Sequence, residues 1–378
     1  MRIAVVFGGK STEHEVSQLS ARNIYLGLKE AGHEAVFLGI SKEGVFVPAF
    51  SLNEDSVLSK DWERLALESF VISDKNKEKL VCSEDAKDSL VFNPKLELFR
   101  LCGGEVDLVF LACHGNNCED GNLQGFLELC DVPYTGADVL GSAIGMDKRF
   151  CKSIAEMNSI PILPYLEISE SEFENNTESI IDEILNKFNM PIFIKPTRGG
   201  SSVGTTVIHS EFELKEKIAE CFSYDSKLII EPFWDKVREI EVAVLGNDEI
   251  SVASPGEIIK AESVDYYDYK TKYLDSETSS LALPANLLPH EIEQIKKYAA
   301  TIFKALQCSG YARVDFFMNS KTSEIAFNEI NTLPGFTEIS LFAKAFVNEG
   351  YSMPSLLNRI IELAIDNYSN KKHVFIRG

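Results

Sequence analysis

Residues 312–331 carry the side chains best suited to chemistry. Arg313 and Asp315 stand in one apolar run and Asn328, Glu329 and Asn331 in the next, among Phe316, Phe317, Ile325, Ala326 and Phe327. The pattern predicts a β-hairpin, with strands over 312–318 and 324–331 and a turn over 319–323. Period-2 alternation then puts Arg313, Asp315, Glu329 and Asn331 on one face. Two carboxylates, an amide oxygen and a guanidinium are costly to bury for packing alone, because each charge needs a partner once it leaves water. A hard divalent cation is such a partner: magnesium takes oxygen ligands and is usually held by one or two carboxylates plus substrate phosphates. The face reads either as a nucleotide-phosphate site or as a solvated surface with an incidental ion pair.

Four loops add candidates. KPTRGGSSVG (195–204) lacks the Gly-Lys-Ser/Thr that closes a Walker A motif. Apolar runs on both sides make it a flap whose backbone N–H groups and Ser201 and Ser202 hydroxyls cradle phosphates, or else a plain hairpin turn. Pro196 biases Lys195 toward an extended backbone. GGKSTE (8–13) follows the first apolar run without the spacing of a dinucleotide loop; its glycines admit a small ligand, and Glu13 could pair with an ammonium, or the segment is only a helix cap. His114 opens HGNNCEDG (114–121) after another apolar run, where α/β sheets place ligands and where ordinary turns also occur. The stretch 266–273 concentrates phenols and ammonium groups. It reads as a lid, with Lys272 neutralising a transferred phosphate and Tyr273 excluding water, or as an edge strand or partner-binding patch.

The elements that must position these groups alternate strand and helix. A strand over 2–7, a helix to about residue 30 capped by Thr12 and Glu15, a strand over 34–40 and a buried parallel strand over 107–112 describe one α/β unit. A helix over 142–157, strands over 191–196 and 203–209, and a helix over 291–306 continue the pattern. The expected domains are 1–138, 139–230 and 231–378. With 58 acidic against 37 basic residues and a net charge of -21, the chain repels a phosphate backbone, so nucleic acid is not an expected partner. No apolar run approaches the ~20 residues of a membrane helix, and the expected location is the cytoplasm. The eight cysteines lack C-x-x-C spacing and read as buried reduced thiols, with Cys118, in a polar loop, the one set apart.

FGGKSTEHEVS (7–17), HGNNCEDGNLQG (114–125), MDK (146–148), FIKPTRGGSSVG (193–204), YDYKTKY (267–273), ARVDFF (312–317) and NEINTLPGFTEIS (328–340), in this order, resemble the D-alanine–D-alanine ligases of the ATP-grasp superfamily. The resemblance implies an α/β ATP-grasp fold of three domains, with ATP between the central and C-terminal ones, and a role in making peptidoglycan precursors. It implies that Lys148 and Lys195 contact ATP phosphates, Glu231 and the backbone after it meet adenine, Glu239 meets ribose and Lys272 meets the γ-phosphate. Asp315, Glu329 and Asn331 would hold two magnesium ions, with manganese an alternative. Glu13 and His114 would face the first D-alanine, Glu13, Ser201 and Tyr273 would link across the site, and Arg313 with the Gly335 amide would stabilise a tetrahedral oxyanion. Ser340 and Leu341 would border the second substrate's carboxylate.

The sequence departs from the family pattern at Cys118, where a glycine is usual, and in the residues after Ser340, near the second-substrate subsite. A D-alanine–D-serine ligase and a catalytically silent ATP-binding module are the alternative readings. The resemblance also implies a homodimer.

Overall fold

The computed structural model describes residues 1–75, 92–235, 237–260 and 279–375. Its first sheet grows from β1 (Arg2–Gly8), whose side chains from Ile3 onward are all buried. Such a run suits a parallel strand covered on both faces. β1 is followed by α1 (His14–Glu30), β2 (Glu34–Ile40), β3 (Phe46–Pro48), α2 (Trp62–Lys75), α3 (Pro94–Leu101), β4 (Leu108–Leu111) and α4 (Asn122–Cys130). Strand order is β3-β2-β1-β4, with β2 and β4 both parallel to β1. The glycine loop after β1 and the His114 loop after β4 consequently leave the same edge of the sheet.

The single helix expected over 142–157 is two helices, α5 (Val139–Met146) and α6 (Lys148–Met157). Asp147 breaks the run because its carboxylate accepts from the Arg149 and Phe150 amides, capping α6. Ala137, Cys151, Ala155 and Ile160 of this segment join the core of the third sheet. A separate core forms around the antiparallel order β5-β8-β6-β7, made by β5 (Leu166–Ser169), α7 (Glu170–Lys187), β6 (Ile192–Pro196), β7 (Thr206–Ile208), α8 (Leu214–Cys221) and β8 (Lys227–Pro232).

The third sheet contains β9 (Val237–Gly246), β10 (Ile250–Val252), β11 (Gly256–Lys260), β12 (Ser279–Ala282), β13 (Gly310–Asn319) and β14 (Ile325–Asn331), in the order β12-β11-β9-β13-β14 with β10 beside β9. Between β12 and β13, α9 (Pro289–Ala305) covers one face, where Val242, Val244, Val314 and Phe316 are buried. The opposite face changes character along its length. Leu245, Ala243 and Tyr311 enter the first core with α10 (Leu341–Asn348) and α11 (Met353–Phe375), whereas Glu241, Arg313 and Asp315 continue the same alternation as charged groups. The charged end of this face is where the site forms.

Candidate active site

The hairpin pairs Arg313 with Asn331 and Asp315 with Glu329, as alternation predicts. Sequence alternation misses the irregularity just beyond: Phe316 pairs with Phe327, so Asn328 is the extra residue of a β-bulge. Uninterrupted alternation along β14 would put Ile325 and Phe327 beside Glu329 on the polar face. The bulge sends both to the core and leaves Asn328 to accept from Lys195 Nζ at 3.0 Å.

Arg313 grips Asp315 with two bonds, Nε to Oδ1 at 2.8 Å and Nη2 to Oδ2 at 2.7 Å, and lies 3.4 Å from Glu241. Asn331 Nδ2 also donates to Asp315, at 2.9 Å, and Glu329 pairs with Lys148 at 3.1 Å. Each opposed carboxylate is thus balanced by a cation. Among the described residues no three His, Cys, Asp or Glu side chains converge as a metal cage. The candidate oxygen set is two carboxylates plus the Asn331 amide.

The break at Asp147 sets Lys148 at the first position of α6, where its N–H donates to Thr197 O at 2.9 Å and its ammonium to Gly199 O at 2.6 Å. Lys148 therefore holds both ends of the turn into the glycine-rich loop, which runs on past Ser202 to 205 before β7 begins. Asp225 fixes the loop's stem by accepting from Thr197 Oγ1, the Arg198 amide and the Arg198 guanidinium. Ser201 and Ser202 both adopt positive φ, 52° and 59°, a strained state for residues other than glycine. Ser201 Oγ then reaches Glu13 Oε1 at 2.5 Å.

Lys195 extends from β6 to Glu231, 2.6 Å away on β8, and Lys152 of α6 reaches the other oxygen at 2.5 Å. All three side chains are 5% exposed or less. Burial pushes the Glu231 carboxyl up, but the two ammonium groups together bring it down to about 2. Burial lowers Lys195, with Glu231 opposing. Lys152 was not singled out from the sequence; its spacing of four from Lys148, one turn along α6, is the available signal. Glu239 lies on β9 opposite Phe317, on the polar face.

In the first unit, α1 begins at His14 rather than behind a Thr12 cap, and Glu13 stands at its N-cap position with no side-chain capping bond. The loop is held instead by Gly8 N–H on Ser17 Oγ, Gly9 N–H on Ile40 O and His14 Nδ1 on Gly9 O. Cys118, singled out for its polar loop, is buried like the others: it packs against Cys113, which with burial drives its pKa well above the usual thiol range. Asn117, at φ 65°, takes the left-handed turn, so Cys118 occupies the usual glycine position without positive φ. The other described cysteines are also buried, with no disulfide among them; Cys82 lies outside the described residues.

His114 is buried, and burial lowers its pKa against the pull of Glu13. Its Nδ1–H donates to Leu333 O at 2.8 Å because a carbonyl can only accept, which leaves Nε2 to accept from Ser20 Oγ at 3.0 Å. Glu119, also unassigned from the sequence, accepts from Gly115 N–H at 2.8 Å and Leu333 N–H at 3.1 Å. Burial and the charge of Glu13 push its carboxyl up to about 8. Ser340 Oγ accepts from the Thr337 amide, and the Leu341 side chain is in the core, so only its backbone can border a ligand. A cleft is lined by Glu13, Glu119, Lys148, Ser201, Arg313, Glu329 and Asn331 among others, joining groups from all three sheets. Lys272 and Tyr273 lie outside the described residues.

Comparison with known proteins matches residues 2–137 to the family model "D-ala D-ala ligase N-terminus" and residues 154–362 to "D-ala D-ala ligase C-terminus". The chain is 40% identical over 376 residues to the D-alanine–D-alanine ligase of Acetivibrio thermocellus, covering 98% of this chain and 97% of the relative. It is 39% identical over 374 residues to that of Caldicellulosiruptor bescii, covering 99% and 98%. The fold is similar to the solved D-alanine–D-alanine ligase of Coxiella burnetii, with TM-score 0.77, 30% identity and coverage of 99% and 97%. It is also similar to the VanG D-Ala:D-Ser ligase of Enterococcus faecalis, with TM-score 0.76, 32% identity and coverage of 96% and 99%.

Proposed function

Because the chain belongs to the D-alanine–D-alanine ligase family, we propose that it joins two D-alanines into D-alanyl-D-alanine as ATP is split to ADP and phosphate. This is the dipeptide end of peptidoglycan precursors. The fold is that of ATP-grasp ligases. The observation that carries the reading is one cleft on which an acidic loop residue, Glu13, the lysine-bound glycine-rich loop and the Arg313 hairpin face converge.

In this reading Lys148 and Lys195 bind the ATP phosphates, with Lys272 at the γ-phosphate. Glu231 and the backbone after it meet adenine, Glu239 meets ribose, and Ser202 lends its hydroxyl to the phosphate flap. Asp315 and Glu329 fit magnesium, because they are hard oxygen donors in direct cross-strand register whose charges already attract cations, Arg313 and Lys148. Bound there with Asn331, magnesium would neutralise phosphate charge; two ions are proposed, with manganese an alternative. Glu13 receives the first D-alanine's ammonium beside neutral His114, and that substrate's carboxylate attacks the γ-phosphorus to give an acyl phosphate and ADP. The neutral amine of the second D-alanine, its carboxylate near Ser340 and the Leu341 backbone, attacks the acyl carbon. Oxyanion charge then develops toward Arg313 and the Gly335 N–H, and phosphate leaves. Positioning and charge stabilisation carry such a reaction.

Tyr273 is assigned to close over the substrate with Glu13 and Ser201. Domain limits of 1–138, 139–230 and 231–378 remain the proposed division, with α5 and α6 packed on the third unit's core. A homodimer and a cytoplasmic location are proposed on the family resemblance; among the described residues no helix is long and apolar enough to cross a membrane. Product analysis with ATP, magnesium and D-alanine, alone or competing with D-serine, tests the function. D-alanyl-D-alanine formed in step with ADP is the expected result. A predominant D-alanyl-D-serine product would move the assignment to the D-serine class, and nucleotide binding without amino-acid-dependent turnover would reject a ligase.

A further inference from the structure

The backbone of residues 333–337 is held by hydrogen bonds whose partners come mostly from the first unit. Leu333 gives its N–H to Glu119 at 3.1 Å and takes His114 Nδ1–H on its carbonyl at 2.8 Å. Phe336 gives its N–H to Ser20 Oγ at 3.1 Å and takes Asn23 Nδ2 on its carbonyl at 2.9 Å. Thr337 gives its N–H to Ser340 Oγ at 3.1 Å, and Pro334 has none to give. The Leu333 and Phe336 side chains, 2% exposed, anchor the same segment in the first core. Among the described residues, the Gly335 N–H alone in this stretch has no acceptor.

We infer that Ser20 and Glu119 are positioning residues for the ligation step: by taking the amides of Leu333 and Phe336 on either side of Gly335, they hold its backbone and keep that one N–H as the segment's unused, fixed donor. The inference rests on the proposed ligase reading and extends it to two residues that touch neither the phosphates nor the hairpin carboxylates. Ser20 also makes the device a relay. Its hydroxyl accepts from Phe336 and donates to His114, which in turn holds Leu333, so one serine couples the first-substrate side of the cleft to the oxyanion side. Glu119 suits its place because both its oxygens accept, one from its own loop and one from the segment it holds. A glutamine there sets an NH2 against one of the two N–H donors and must turn one of them away.

Ser20→Ala and Glu119→Gln separate this role from plain structural support. The wild-type protein is first shown to form the dipeptide, so failure of the ligase reading is recognised before either variant is made. Each variant is then assayed for kcat, for KM of ATP and D-alanine, and for binding of a phosphinate dipeptide, whose tetrahedral centre mimics the oxyanion. Misplacing a donor by about 1 Å costs roughly 100-fold in rate. The expected result is a kcat loss of that order matched by the loss in phosphinate affinity, with KM for ATP little changed. Near-normal kcat in both variants overturns the proposal, as does a loss shared equally by ATP binding and phosphinate binding. If one variant fails to fold, the other decides.

Discussion

Ser201 Oγ donates to Glu13 Oε1 at 2.5 Å, so a residue on the strained glycine-rich loop meets one at the start of α1, 188 positions away in sequence. Glu13 is 7% exposed, and a hydrogen bond to a charged group contributes about 1.5–3 kcal/mol. Ser201→Ala is expected to loosen the loop over the cleft and raise the KM for D-alanine about tenfold or more, with a loss of stability no larger than that bond's contribution, because the loop's stem stays fixed on Asp225. Steady-state kinetics beside a denaturant melt check it. Unchanged D-alanine KM would remove the contact from substrate binding.

Arg313→Ala is expected to lower kcat by roughly 100- to 1000-fold, the usual cost of one oxyanion donor, with nucleotide affinity within a few-fold of wild type. The substitution also strips Asp315 of its bidentate partner, so the magnesium requirement is expected to move to lower concentration. Turnover titrated against magnesium measures both effects, and near-normal kcat would take Arg313 out of the mechanism.

Lys152→Met is expected to destabilise the fold by up to about 3 kcal/mol. Removing one member of a buried ion group leaves charge uncompensated, although Lys195 still pairs with Glu231. The Glu231 carboxyl is depressed from 4.5 to about 2, so its contribution is present above pH 4.5 and is lost as pH falls toward 2. In Lys152→Met the acid limb of a stability-versus-pH profile is expected to begin at higher pH. An unshifted limb would show that Lys195 alone sets the charge of Glu231.

Glu119 gives the opposite slope. Its carboxyl is raised from 4.5 to about 8 by burial and by Glu13, so the folded protein binds this proton more tightly than the unfolded chain does. The stabilisation is complete below pH 4.5 and is lost as pH rises through about 8. Glu119→Gln is expected to flatten the decline in melting temperature between pH 5 and 8, even if the absolute value falls. A variant as steep as wild type would assign that decline to other groups.

The hairpin around Arg313 and Asp315, the β1 and β4 strands and the glycine-rich loop were legible in the sequence because alternation, continuous apolar runs and glycine clusters are local signals. Reading Met146-Asp147-Lys148 as helix interior missed the break, since an aspartate declares itself a cap only when the backbone before it has turned. The bulge at Asn328 was hidden for a related reason: a two-residue period cannot say where a strand skips its partner, and only packing Phe327 on the core against Phe316 decides it. Cys118 stood out because its neighbours in sequence are polar, yet the fold presses it against Cys113 and the Gly9 loop. Ser20 and Glu119 carry no local mark and Lys152 only its one-turn spacing from Lys148, because what they do depends on groups far along the chain, Phe336 and Leu333 for the first two and Glu231 for the third. The chain's own order determined which chemical groups the protein owns. Tertiary structure decided which of them share a partner, because a buried N–H or carboxylate is satisfied by whatever the packed sheets bring within about 3 Å, whatever its distance in sequence.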